Sequence, residues 1–138
     1  MEENFITGFG GAVLAGGQSK RMGFDKALLD INGKPLIAKV AQALNEAGLI
    51  NLQIVGGNSK EFLSLGYECL PDEYPGEGPL GGIITALNHF RNEGKKHVMI
   101  VACDLPNISK NLIREMLLKS LREPKSIVVP AVEEHVQW

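Results

Sequence analysis

The sequence predicts a three-layer α/β domain around a mostly parallel sheet, and three observations carry the prediction. Short apolar runs alternate with segments of helical spacing, the order of βαβ units. The runs are apolar on successive residues rather than alternate ones, as strands covered on both faces are. The first and third helical segments carry boundary signals, Pro35 and Gly48 around one and Ser109 and Pro124 around the other. With 138 residues, 44% apolar and 22% charged, the chain has the length and composition of one ordinary globular domain spanning residues 1–138.

Each element follows in order. Residues 11–15, "GAVLA", are apolar throughout and read as the first strand. Leu36, Val40 and Leu44 recur at a spacing of four, with Pro35 before them and Gly48 after, which predicts a helix over 35–47. "LQIVG" (52–56) reads as the second strand and "YECL" (67–70) as a short third. Ile84, Leu87 and Phe90 mark a second helix over 80–92. "HVMIVAC" (97–103) is the most apolar run. Ser109 is placed to cap a third helix whose apolar positions are Ile113, Met116, Leu117 and Leu121, and Pro124 stops it. "SIVVPAV" (126–132) is read as a fifth strand of the sheet. The sequence then ends in "EEHVQW" with no closing helix, so one flank of the sheet is expected to lie open to a partner or to further chain. No internal repeat, low-complexity tract or linker interrupts this order.

Charge and cysteine usage exclude several classes. A net charge of −2 does not fit a nucleic-acid coat or a membrane-surface protein, which need a basic excess. Cys69 and Cys103 are too few and too apolar in setting for a disulfide framework, which points to a reducing cytoplasm. "MEENF" is acidic and unlike a signal peptide, and no run reaches the roughly eighteen apolar residues of a membrane span. The expectation is a soluble, cytoplasmic protein. His89, His97 and His135 show no ligand spacing, and Cys103 reads as core rather than nucleophile.

The chemistry gathers in three loops, each following a predicted strand, and ligands of open parallel sheets bind outside strand carboxyl ends. The first is "LAGGQSKRMGFDK" (14–26). Gly16 and Gly17 admit close backbone approach, Ser19 is a donor, and Arg21 and Lys26 supply charge for a polyphosphate. It is not a GxxxxGK[ST] loop, because Lys26 is followed by Ala27. The second is "PDEYPGEGPLGG" (71–82), where Asp72 can take a ribose or base donor and residues 79–82 enter a helix N-terminus. Gly76, Gly78 and Gly81 match GxGxxG, but after the third strand rather than the first, which argues against a nicotinamide cofactor. The third is "ACDLP", where Asp104 ends the strongest strand and offers a hard oxygen to Mg²⁺.

"LAGGQSKRMGFDKALL", "PLIAKV", "PGEGPLGGI" and "CDLP" together resemble, in order, the molybdenum cofactor guanylyltransferases, over about residues 10–132. The resemblance implies a Rossmann-like nucleotidyltransferase fold and the transfer of GMP from GTP to the terminal phosphate of molybdopterin, with release of pyrophosphate and with Mg²⁺ as cofactor. It also implies that the Leu14, Ala15 and Gly16 backbone, Lys26 and Asp72 contact GTP, and that Asp104 binds both GTP and Mg²⁺. Relatives using cytidine or uridine nucleotides usually read LAAG, so Gly16 is the expected guanine-selecting position. Where the family often has Asn after the second strand, this chain has Gly56, and Asn58 two residues on becomes the candidate contact. Family members continue for roughly another third of their length, the part that helps form the molybdopterin side of the cleft. Expected partners are GTP, molybdopterin and proteins of cofactor delivery, without nucleic acid or membrane. The alternatives are a nucleotidyltransferase for another nucleotide or acceptor, of cytidylyl or sugar-phosphate type, and a GTP-binding module without catalysis.

Overall fold

Two mixed-size apolar clusters lie on opposite faces of one parallel sheet. The computed structural model describes residues 6–16, 28–105, 107–132 and 135–136. The sheet consists of β1 (Phe9–Leu14), β4 (Leu52–Val55), β5 (Cys69–Leu70) and β6 (His97–Ala102), in the order β5-β4-β1-β6, all parallel. Between β1 and β4 come a hairpin, β2 (Asp30–Ile31) with β3 (Lys34–Pro35), and helix α1 (Leu36–Glu46). Helix α2 (Ser59–Ser64) joins β4 to β5, and α3 (Gly78–Asn92) joins β5 to β6. Helix α4 (Lys110–Arg122) follows β6, and β7 (Ala131–Val132) pairs with β8 (His135–Val136).

The strands alternate residues between the two clusters. Phe9 and Val13 of β1, Ile54 of β4, and Met99 and Val101 of β6 meet Ile37, Val40 and Leu44 of α1, Phe62 of α2, and Ile113 and Leu117 of α4. Ala12, Val55, Val98 and Ile100 face the other way, toward Ala86 and Phe90 of α3. That is the predicted three-layer arrangement, and it explains why the strands are apolar on both faces.

Helix α1 ends as its punctuation predicts. Gly48 has φ +108°, its N–H donates to Asn45 O at 2.9 Å, and Leu49 N–H donates to Leu44 O at 3.0 Å. This is a Schellman ending, which needs a residue that tolerates positive φ. Ser109 caps α4 as expected, its Oγ accepting from Leu112 N at 3.1 Å.

Four readings are corrected. The fifth strand does not join the parallel sheet: residues 127–130 are irregular, 131–132 pair in a separate hairpin, and Ile127 is 90% exposed. Pro130, inside that run, has no N–H to give a sheet ladder. Leu87 of α3 is exposed, because the face laid on the sheet is Gly81, Gly82, Thr85, Ala86 and Phe90. Small residues let that helix approach the strands closely, a stripe invisible to a search for large apolar side chains. Leu121 likewise faces outward, with Ile113 and Leu117 as the buried pair of α4. The third strand is confined to Cys69–Leu70. The β2–β3 hairpin adds to the predicted elements; "NG" is its turn signal, and Asn32 and Gly33 take φ +51° and +85° there.

Candidate nucleotide-binding site

The carboxyl ends of the four strands stand level. Leu70 pairs with Val55, Val55 with Leu14, and Leu14 with Ala102. The ladder continues past them: Gly56 N–H donates to Leu70 O, Ala15 N–H to Val55 O, and Cys103 N–H to Leu14 O, at 2.9, 2.9 and 3.1 Å. Every loop that leaves this edge therefore starts from the same line. The strand order reverses at β1, with β4 to one side and β6 to the other, so the crevice of the sheet opens between the loops after β1 and β6. Ala15 and Gly16 leave from one wall of that crevice, and Asp104 from the other.

Asp104 is exposed, and among the described residues its carboxylate has no hydrogen-bond or ion-pair partner. No group of three or more His, Cys, Asp or Glu side chains among the described residues could cage a metal. The donor set suits Mg²⁺ held by one carboxylate together with phosphate oxygens and water, the way this ion is commonly bound.

On the other side of β1, three backbones crowd together. Gly56 has φ +75°, and a Cβ built on it would stand 3.1 Å from Gly16 Cα and 3.9 Å from Asp72 Cβ. The adjacent Gly57 has φ +72°, and its Cβ would meet Ala15 O at 3.1 Å. Two successive left-handed residues carry the chain from β4 across the β1 loop, which side chains would obstruct. The paired glycines were the available signal for this, and they account locally for Gly56 where the family often has Asn. A Cβ on Gly16 itself would point at Gly56 Cα and Gly57 N, both at 3.6 Å, an ordinary contact.

Asp72 is half-buried at the start of the loop that follows β5. Its Oδ1 accepts from Tyr74 N–H at 2.8 Å and lies 3.4 Å from Thr85 Oγ1. Asn58 caps α2, its Oδ1 accepting from Glu61 N–H at 3.3 Å. Asp72 and Asp104 leave strands three spacings apart, about 14 Å, too far for one ion to serve both but within the reach of an extended nucleotide. Leu14, Ala15, Gly16, Asn58, Asp72 and Asp104 thus all stand on or just beyond one sheet edge. Gly17, Ser19, Arg21 and Lys26 lie outside the described residues. Burial pushes the Cys69 thiol up from its ordinary value, which agrees with reading it as packing rather than as a nucleophile.

A parallel sheet whose order reverses at its first strand, with helices on both faces, defines a doubly wound, Rossmann-like α/β domain, the class that takes ligands at such a reversal. The model of the MobA-like NTP transferase domain matches residues 11–138, and the chain belongs to that family. It is 35% identical over 127 residues to a probable molybdenum cofactor guanylyltransferase of Clostridium perfringens, covering 91% of this chain and 61% of that protein. A protein of the same description from Pelotomaculum thermopropionicum is 39% identical over 127 residues, covering 92% of this chain and 59% of the relative. The chain thus spans about three fifths of the length of these curated relatives. The crystal structure of molybdopterin-guanine dinucleotide biosynthesis protein A from Archaeoglobus fulgidus superposes with a TM-score of 0.64 at 23% identity, over 92% of this chain and 63% of that one. At that identity the likeness establishes the shared fold. Among the described residues, no helix is long and apolar enough to cross a membrane.

Proposed function

We propose that this chain is the nucleotide-binding part of a guanylyltransferase that transfers GMP from GTP to the terminal phosphate of molybdopterin. The level row of strand ends carries this reading, because it sets Gly16 and Asp72 on one side of the crevice and Asp104 on the other. GTP lies along that edge. The guanine rests against the Gly16–Gly56 seam, Asp72 takes a donor of the base or ribose, and the triphosphate runs toward Asp104. Backbone groups of Leu14, Ala15, Gly16 and Gly17 approach the nucleotide, with Asn58 at the margin.

An oxygen of the acceptor phosphate attacks the α-phosphorus in line. One P–O bond forms there as the bond to the bridging oxygen breaks, and pyrophosphate leaves with that electron pair. The nucleophile is already an anion, so the residues need to position and neutralise rather than to remove a proton. Arg21 and Lys26 offset the charge of the triphosphate and of the departing pyrophosphate. Asp104 would hold Mg²⁺, which would supply charge stabilisation to the phosphate. The family relationship and the relatives' printed function support the acceptor; cytoplasmic location accords with a chain that carries only two cysteines.

Calorimetric titration with GTP, with CTP as control and Mg²⁺ present, tests the nucleotide site. GTP is expected to bind and CTP to bind at least about tenfold more weakly, a difference of about 1.4 kcal/mol. Gly16→Ala should preserve the fold, since its methyl meets backbone only at 3.6 Å, and should narrow the preference by crowding the purine. Preferential CTP binding would move the substrate to the cytidylyl class, and binding of neither nucleotide would remove the reading.

A further inference from the structure

We propose that Thr85 is the positioning residue for Asp72: by accepting the Glu73 N–H it clamps the turn in which Tyr74 N–H holds one oxygen of that carboxylate, leaving the other as the nucleotide contact. The inference rests on the reading of Asp72 as a nucleotide ligand. Thr85 is only 2% exposed, and it sits on the second turn of α3, pointing at the loop that follows β5. Its Oγ1 accepts the Glu73 N–H at 3.0 Å, which pins the residue next to Asp72 onto the helix. The hydroxyl has one proton, and two acceptors stand within reach: Gly81 O at 2.9 Å and Asp72 Oδ1 at 3.4 Å. The shorter contact takes the proton, so Thr85 acts on Asp72 chiefly through the Glu73 clamp.

The same turn commits Asp72 Oδ1, which accepts from Tyr74 N–H at 2.8 Å. Among the described residues Oδ2 has no partner, and it is the oxygen left to a ligand. Gly81 makes the arrangement sterically admissible. A Cβ there would fall 2.6 Å from Tyr74 O and 3.2 Å from Asp72 Oδ1, forcing the turn away from α3. Thr85 touches no ligand in this account. It fixes the direction from which Asp72 presents a single acceptor, as outer groups orient ligating side chains elsewhere.

The experiment compares wild type, Thr85→Val, Thr85→Ser, Asp72→Ala and the Asp72→Ala/Thr85→Val double variant. Two readouts serve: GTP affinity with Mg²⁺ by calorimetry, and amide hydrogen exchange of Glu73 and Tyr74 in nucleotide-free protein. Thr85→Val keeps the shape and removes the hydroxyl. It is expected to speed exchange at both amides and to weaken GTP binding about tenfold, while Thr85→Ser restores both. In the Asp72→Ala background, Thr85→Val should weaken binding no further. Unchanged exchange in Thr85→Val overturns the proposal, as does an affinity loss of equal size with or without Asp72. Wild type that binds GTP while Thr85→Val binds it equally well overturns the positioning role alone. Wild type that binds no GTP overturns the reading of the site and the inference with it.

Discussion

Asp104→Ala is expected to lower pyrophosphate release from GTP and molybdopterin by about a thousandfold, the scale of losing one preorganised charge-stabilising group. GTP affinity should fall by less, about tenfold or under, because the proposed binding mode holds the base and ribose end of the nucleotide across β1, at the Gly16–Gly56 seam and Asp72. The asymmetry follows from where charge develops: the α-phosphorus and the leaving pyrophosphate change most in the transition state, and interactions that strengthen only there appear in the rate. Stability should hardly move, since the Asp104 side chain is exposed and has no partner among the described residues. A melting curve checks this before the kinetics are compared. Equal pyrophosphate release by wild type and variant would remove Asp104 from the catalytic machinery.

The second large effect is on folding. A Cβ placed on Gly10 would stand 2.2, 2.4 and 2.5 Å from three ring atoms of Phe90. That ring is fully buried in the cluster between α3 and the sheet, among Ala12, Val55, Ala86, Val98 and Ile100, and has no open side to turn toward. Gly10→Ala should therefore lower stability by about 3 kcal/mol, the upper range for overpacking a core, and the melting temperature by on the order of 10 °C. Gly11→Ala is the informative control. Its Cβ would meet Leu52 Cδ2 at 2.4 Å, but that atom is the tip of a flexible, partly exposed side chain. It should cost about 1 kcal/mol. In a double-mutant cycle, Phe90→Leu should recover part of the Gly10→Ala loss by vacating the ring positions. Thermal denaturation in which Gly10→Ala and Gly11→Ala melt alike would show that α3 can lift from the sheet at little cost.

Much of this architecture was legible residue by residue. The helix over 35–47 was readable because Pro35, Gly48 and the Leu36–Val40–Leu44 spacing agree, and the structure places α1 at Leu36–Glu46. The positions of the polar loops after β1, β5 and β6 are legible for a similar reason: each apolar run ends where glycines and charged residues begin. The hairpin at Asn32–Gly33 has an equally local signal, the "NG" pair. The stripe of α3 was harder to see, because its buried face consists of Gly81, Gly82, Thr85 and Ala86 with Phe90 as its large member. Periodicity is sought in large apolar residues, and small ones carry no such signal. The run "SIVVPAV" has strand composition, yet strand composition describes a residue's fit to a pleated surface rather than the presence of a neighbouring edge.

By itself, the sequence determined the alternation of strands and helices, the three polar loops and the resemblance to the guanylyltransferases, because each is written in neighbouring residues. Only the tertiary structure decided the rest. It brought Leu70, Val55, Leu14 and Ala102 level, set the reversal at β1, closed Gly56 onto Gly16, and aimed Thr85 at the turn that holds Asp72. These depend on strand register and on the distance at which backbones can pass, and both are settled by packing between segments tens of residues apart.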